Sequence, residues 1–379
     1  MMVNRKLQLL AIALLLPTQA RAQAPSPSEA LALEQQGNLE EAAHVWQAVT
    51  ERNPRDARAF ASLGVVLSKE QKYPEAASAY KKALALNPAL PGIQLNLGLA
   101  EFKQGRFEAA FAPLRAALRA DPKNMQARAL LGLSYYGAKR FADAAKHLEI
   151  ATNADPANTE LRRVLAQSCL WAKNYTCALD EFRQIQQQDP NSAAVHILTG
   201  EALDGLGKTA EAIEEFQAAV NAAPQEPGAH FGLGYLQWKS HQYDEAKSSF
   251  EAELALDPAN PQALAYLGDI EVKRDDLENA LASLKKSVEL KDDIRIAYSD
   301  LGSIYMEQKQ YPEALAALQR AVELDPAQPD THFRLGRVYQ AMGNSAAANQ
   351  EFARVRELHK KADEDLLEKM SGAPPPLKP

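Results

Sequence analysis

Cysteine is almost missing from this chain of 379 residues, which has only Cys169 and Cys177. That excludes a disulfide-built mini-fold and a cysteine-rich zinc module, both of which need more cysteines at close spacing. Aromatic residues are scarce at 7%, and alanine is abundant, a balance that suits close-packed helices better than sheets. Beyond the first residues no apolar run approaches the ~20 needed to span a bilayer, so stable membrane insertion is not expected. Excess positive charge is lacking too. The 42 Lys and Arg residues face 49 Asp and Glu, for a formal net charge of −7, and nucleic acid is not an expected partner. There is no phosphate-binding glycine loop, nucleophile elbow or zinc-helix motif. Catalysis, cofactors and metal binding are therefore not expected.

What the chain has instead is a period. Alanines recur every 34 residues at Ala42, Ala76, Ala110, Ala144, Ala178, Ala212, Ala246, Ala280, Ala314 and Ala348. A second small-residue column runs through Ala30, Gly64, Gly98, Gly132, Ala166, Gly200, Gly234, Gly268, Gly302 and Gly336. Prolines keep the same register at Pro54, Pro88, Pro122, Pro156, Pro190, Pro224, Pro258 and Pro326. A fixed period of this size marks a solenoid, in which each unit buries its apolar face against its neighbours. With windows counted from Gln23, each contains two bursts of helical periodicity, such as Leu63, Val66 and Leu67 followed by Tyr73, Ala76, Ala77 and Tyr80. An Asn-Pro or Asp-Pro pair ends most windows, because proline disfavours helix at the residue before it. The antiparallel helices should cross most closely at positions 8 and 20, with Gly64 facing Ala76. The first window is shortened by Pro25 and Pro27, so its helix should begin near Ser28, a suitable cap. Lys291-Asp292-Asp293 stands where a proline would fall. Asp292 or Asp293 should cap the next helix there, the other reading being a hinge.

Small residues at positions 8 and 20, an aromatic or leucine at 24 and a proline at 32 resemble the tetratricopeptide repeat family over about 340 residues. The resemblance implies an all-α, right-handed superhelical solenoid of stacked antiparallel helix pairs. Its expected organisation is a shortened unit at 23–56, nine units over 57–362, a long polar capping helix at 346–370 and a disordered Pro-rich tail at 371–379. Before it, Arg5 and Lys6, the apolar run from Leu7 to Leu16 and the Ala20-Arg21-Ala22 site read as a secretory signal peptide at 1–22. An exported, periplasmic or secreted, soluble protein is expected.

In the family, first helices line a concave groove, mainly through positions 2, 5, 9, 12 and 13. Those positions here give Leu95, Leu99, Phe102, Leu133, Tyr136, Arg163, Leu170, Trp171, Ile197, Phe231, Tyr235 and Trp238. Aromatic residues with an arginine are typical binding anchors, although bulky groove residues can also fill space between helices. Toward the C-terminus the stripe turns polar at Asp269, Lys273, Ser299, Ser303, Glu307, Asp330 and Arg337. The expected role is a non-catalytic scaffold holding a peptide or helix of a partner protein, in envelope assembly or secretion. The alternative is the recognition subunit of a separately encoded enzyme such as a glycosyltransferase. Self-association through the unit ends is also open. Two side issues remain. His196, His230 and His332 share position 4 and should replace a partly buried aromatic residue. Cys169 and Cys177 flank one hairpin turn, so a disulfide is possible, but the simpler reading makes Cys169 a small core residue and Cys177 a solvent-facing one.

Overall fold

The computed structural model describes residues 25–371, with side chains to 367, so the leader at 1–22 and the tail from 372 lie outside the described residues. Among these there are twenty α-helices and no strand, as expected of an all-α solenoid. Two compact units divide the chain at Ala154 and Asp155. Unit 1 holds α1 (Pro27–Gln36), α2 (Leu39–Arg52), α3 (Ala57–Lys69), α4 (Tyr73–Leu86), α5 (Ile93–Lys103), α6 (Phe107–Ala120), α7 (Met125–Gly137) and α8 (Phe141–Ala154). Unit 2 begins with α9 (Thr159–Trp171), α10 (Tyr175–Gln186), α11 (Ala193–Gly205), α12 (Thr209–Ala222), α13 (Ala229–Lys239) and α14 (Tyr243–Leu256). It continues with α15 (Pro261–Lys273), α16 (Leu277–Leu290), α17 (Arg295–Glu307), α18 (Tyr311–Leu324), α19 (Pro329–Ala341) and α20 (Ser345–Ser371).

The junctions follow from side-chain chemistry. After α4, α6, α14 and α18 the residue before proline leaves the helix, and its own side chain accepts the N–H two residues on. These bonds run from Ala89 to Asn87 (3.1 Å), Lys123 to Asp121 (3.0 Å), Ala259 to Asp257 (3.0 Å) and Ala327 to Asp325 (3.0 Å). The Asx turn gives the first amide after the proline, which itself has no N–H, an acceptor. Such bonds hold Asp325 below the usual carboxylate range, the Gln328 amide contributing most and the Ala327 N–H next. Helix starts are capped where a short polar side chain is available, as by Asp56 on Arg58 and Ala59 and by Asn124 on Ala127. The first helix starts at Pro27, one residue earlier than its expected cap, because Ser26 is the cap and proline is tolerated in the first turn. At the atypical junction neither Asp292 nor Asp293 caps α17. Ile294 holds the cap position, while Asp293 pairs with Lys291 and Asp292 lies 3.7 Å from Arg320.

Each hairpin turns through one residue in the left-handed region. Gly37, Gly105, Gly207 and Gly343 hold it in four hairpins. Gln71, Lys139, Lys173, His241, Asp275 and Lys309 hold it in the others at φ of 57–62°. The next amide closes the turn, as Lys72 N–H donating to the Leu67 carbonyl at 2.9 Å. Inside the hairpin, what lies on the position-8 glycine is not the alanine at 20 but the large residue at 24. A Cβ on Gly64 would meet the Tyr80 ring at 2.5 Å, and one on Gly98 or Gly302 would meet Leu114 or Leu318. The glycine column makes room for the largest core side chain, which its position one turn beyond the alanine brings over the gap.

Within each unit successive first helices touch, α3 with α5 and α5 with α7, then α9 through α19 in order. Among the described residues no comparable contact links successive second helices, so the first-helix side is the crowded side of each stack. Position 4 ties junctions to hairpins. The expected aromatic stand-ins are polar clamps instead: His196 places Nδ1 2.6 Å from Glu215 and Nε2 3.0 Å from the Pro190 carbonyl. His332 does the same with Glu351 (2.6 Å) and Pro326 (3.1 Å), and Arg162 with Glu181 (2.5 Å) and Pro156 (3.3 Å). His230 keeps only the carbonyl contact, 3.0 Å from Pro224.

Candidate groove on the first helices

The stripe singled out from the sequence falls on α5 and α7 in unit 1 and on α9, α11 and α13 in unit 2. In unit 1, Leu95, Leu99, Phe102, Leu133 and Tyr136 are all partly exposed. Their rings pair locally, Phe102 with Phe107 at 5.7 Å and Tyr136 edge-on to Phe141 at 6.0 Å, and burial pushes the Tyr136 hydroxyl up. In unit 2, Arg163 is exposed and lies 3.8 Å from Glu160, Ile197 is half-buried, and Trp171 is 46% exposed. Leu170 corrects the expectation: at 5% exposure it is a packing residue and offers a ligand nothing. The disulfide is formed, with Cα atoms of Cys169 and Cys177 5.8 Å apart, so Cys177 is not merely solvent-facing. It joins α9 to α10 next to Trp171.

Phe231, Tyr235 and Trp238 are gathered into one cluster. Tyr266, from α15, is its centre. It stands 4.9 Å from Trp238, 5.5 Å from Tyr235 and 6.2 Å from Phe231, and stacks at 5.6 Å on the buried Phe250. Burial pushes its hydroxyl up to about 12. The Trp238 indole N–H donates to Asp269 at 2.6 Å, and Asp269 also binds Lys273, whose ammonium lies 5.9 Å from the Trp238 ring. The aromatic part of the groove is thus anchored to a carboxylate that is only 4% exposed.

A second buried acid, Asp300 on α17, is 3% exposed. Arg334 from α19 reaches it at 3.0 Å, donates to Ser303 Oγ at 2.6 Å, and places Nε 2.7 Å from Asp330. The other Asp300 oxygen, Oδ2, is buried without a hydrogen-bond partner. Burial, with Asp269 nearby, pushes the Asp300 carboxyl up to about 7 against the opposing fields of Arg334 and Lys273. Tyr266, Asp300 and Arg334 were missed by the sequence reading for one reason: all three occupy position 6. On a helix that position lies between 2, 9 and 13, and so belongs to the same stripe. The signal was the change of the column from Leu130, Val164, Leu198 and Gly232 to Tyr266, Asp300 and Arg334.

On the opposite, second-helix side of unit 1, a cleft of about 530 Å³ opens between α2 and α4 over Phe60, Leu63 and Leu67. It is remote from the stripe. No cluster of His, Cys, Asp and Glu suited to a metal occurs among the described residues.

Tetratricopeptide repeat models match 28–125 and 231–293 in overlapping pieces, 101–234 likewise, and 330–362, and a TPR repeat model matches 302–343. The chain belongs to the tetratricopeptide repeat family. No curated protein sequence matches it. Among solved structures, the tetratricopeptide array is similar to the APC/C hetero-tetramer Cut9-Hcn1 at 14% identity, covering 87% of this chain and 79% of that one, with a TM-score of 0.51. It is also similar to the C-terminal part of a TPR repeat-containing protein from Cytophaga hutchinsonii (18% identity, 63% and 98% covered, TM-score 0.49). YrrB, described as a TPR protein with an unusual peptide-binding site, matches at 22% identity over 50% of this chain and 97% of its own, with a TM-score of 0.39. These likenesses are ones of fold.

Proposed function

We propose that this tetratricopeptide protein is a non-catalytic interaction scaffold that holds a segment of a partner protein along the inner stripe of its first helices. The single observation that carries this reading is the half-open aromatic cluster of Phe231, Tyr235, Trp238 and Tyr266, tethered to Asp269. Rings at an accessible surface, fixed by a buried hydrogen bond, are pre-organised anchors of the kind that dominate recognition energies. Export to an envelope compartment is part of the proposal. It is supported by the basic and apolar leader and by a disulfide, a bond that persists in oxidising compartments. No helix among the described residues is long and apolar enough to cross a membrane.

The test is affinity capture from an envelope extract by the full chain and by a double variant, Trp171→Ala with Trp238→Ala, read by mass spectrometry. The expected outcome is loss of the specific partner from the variant. Undiminished capture would remove the groove from consideration.

A further inference from the structure

The acids of the unit 2 stripe outnumber the cations that answer them. Glu201, at position 9 of α11, has no hydrogen-bond or ion-pair partner among the described residues. Burial pushes its carboxyl upward even though the side chain is open to solvent, as expected for a group on the floor of a concavity. The next first helix, α13, touches α11 and carries Tyr235 at the same position 9; beyond it α15 carries Asp269 there. The aromatic cluster is therefore bracketed along the stripe by Glu201 on one side and by Asp269 with Asp300 on the other.

The second, independent observation is Asp300 itself. Its side chain is almost fully buried, yet Oδ2 meets no hydrogen-bond donor among the described residues, and the field of a second carboxylate, Asp269, acts on it. No ligand reaches that oxygen directly, but a cation held nearby favours the ionised form of Asp300 and is attracted by it. Lys273 shows what such a cation finds: its ammonium binds Asp269 while lying 5.9 Å from the Trp238 ring and 5.8 Å from Tyr243. Indole, phenol and carboxylate together make an environment that already accepts one ammonium group.

We infer that unit 2 receives a basic, extended segment of the partner protein, with a lysine or arginine side chain over the Tyr235 and Trp238 rings between Glu201 and the Asp269–Asp300 pair. This rests on the groove reading above and names the chemistry of its occupant. The unpaired charge of Glu201 and the field of the Asp269–Asp300 pair call for a cationic ligand, and the rings call for a cation at their faces. Exposed Glu307 extends the acidic line as far as Asp330, which Arg334 neutralises, and Arg337 on α19, and the overall charge of −7 draws a basic chain toward the protein. An acidic segment would add like charge to every one of these acids.

Three fluorescein-labelled octapeptides, alternating alanine with lysine, acetyl-lysine or glutamate, test this by anisotropy titration with the full chain in 100 mM salt. The lysine peptide is expected to bind at least tenfold more tightly than the other two. Glu201→Gln should reduce that advantage to threefold or less, and Asp300→Asn should weaken lysine-peptide binding three- to fivefold. Glu214→Gln, which removes an exposed charge from second helix α12, should change nothing. Absence of lysine-peptide binding overturns the proposal, as does equal binding of the three peptides or an E214Q effect as large as that of E201Q. The groove reading survives such a failure if Trp171→Ala with Trp238→Ala still abolishes partner capture. If lysine-peptide binding is indifferent to those tryptophans, both readings fall.

Discussion

Two buried carboxylates, one in each unit, are treated in opposite ways. In unit 1, Glu101 is 1% exposed and each oxygen faces a cation: Arg106, from the turn before α6, lies 2.6 Å from Oε2, and Lys81, from α4, lies 2.7 Å from Oε1, which makes an ion pair without an aligned hydrogen bond. In unit 2, Asp300 is just as hidden but has one direct cation, a bare oxygen and a second acid nearby. Removing charge from water is tolerated when geometry and partners compensate it, and Glu101 meets that condition. Asp300 does not, and it lies on the stripe where the aromatic anchors gather. The contrast separates an acid that serves packing from one whose electrostatics are left incomplete beside a binding surface.

Several changes would break or sharpen the contrast. Arg334→Met takes away the one cation on Asp300 and should destabilise by about 3–5 kcal/mol at pH 8, the usual penalty for orphaning a buried charge. Urea unfolding should show a much smaller loss at pH 5, where Asp300 is protonated; equal losses at both would mean that packing, not charge, matters. The second prediction concerns pH alone. Asp300 titrates near 7 in the fold, against an ordinary 3.8, so between those values the folded chain holds a proton that the unfolded chain has released. Its contribution is greatest below pH 4, falls as pH rises to about 7, and is then flat, a swing on the order of 4 kcal/mol. Asp300→Asn should flatten that part of the pH–stability curve, and an unchanged curve would refute the assignment.

Next in size, Cys177→Ser opens the one covalent tie and should lower stability by about 2–3 kcal/mol for so short a loop, with thiol reductant having no further effect on the variant. Smallest is Glu101→Gln. Its cations are about half exposed and can return to water, so the loss in urea unfolding should be about 1 kcal/mol. A loss at Glu101 as large as that of Arg334→Met would erase the distinction between the two acids.

Most of the architecture was legible because it is written as columns. The small residues at 8 and 20 and the proline at 32 repeat in phase, and helix, turn and junction each have a local chemical reason. What escaped detection depended on partners outside the local pattern. That Gly64 accommodates Tyr80 and not Ala76 is a matter of how far a ring extends. The clamps formed by His196 and His332 needed a glutamate nineteen residues on and a proline carbonyl six residues back. Leu170 carries a groove register but sits 5% exposed, because the edge of a helical stripe shades into the core. Tyr266, Asp300 and Arg334 were hidden by a register drawn one position too narrow.

The turns have a further implication. Six hairpins place an ordinary residue where the backbone is left-handed, and four place a glycine. Each of the six gives up roughly 1–2 kcal/mol relative to a residue free of that strain. Because a repeat array distributes its stability unit by unit, these positions act as independent trimmers along its length. Evolution or an engineer can stiffen or loosen one stretch of the array through residues such as Lys309 or Gln71, without altering a single side chain that a partner would touch.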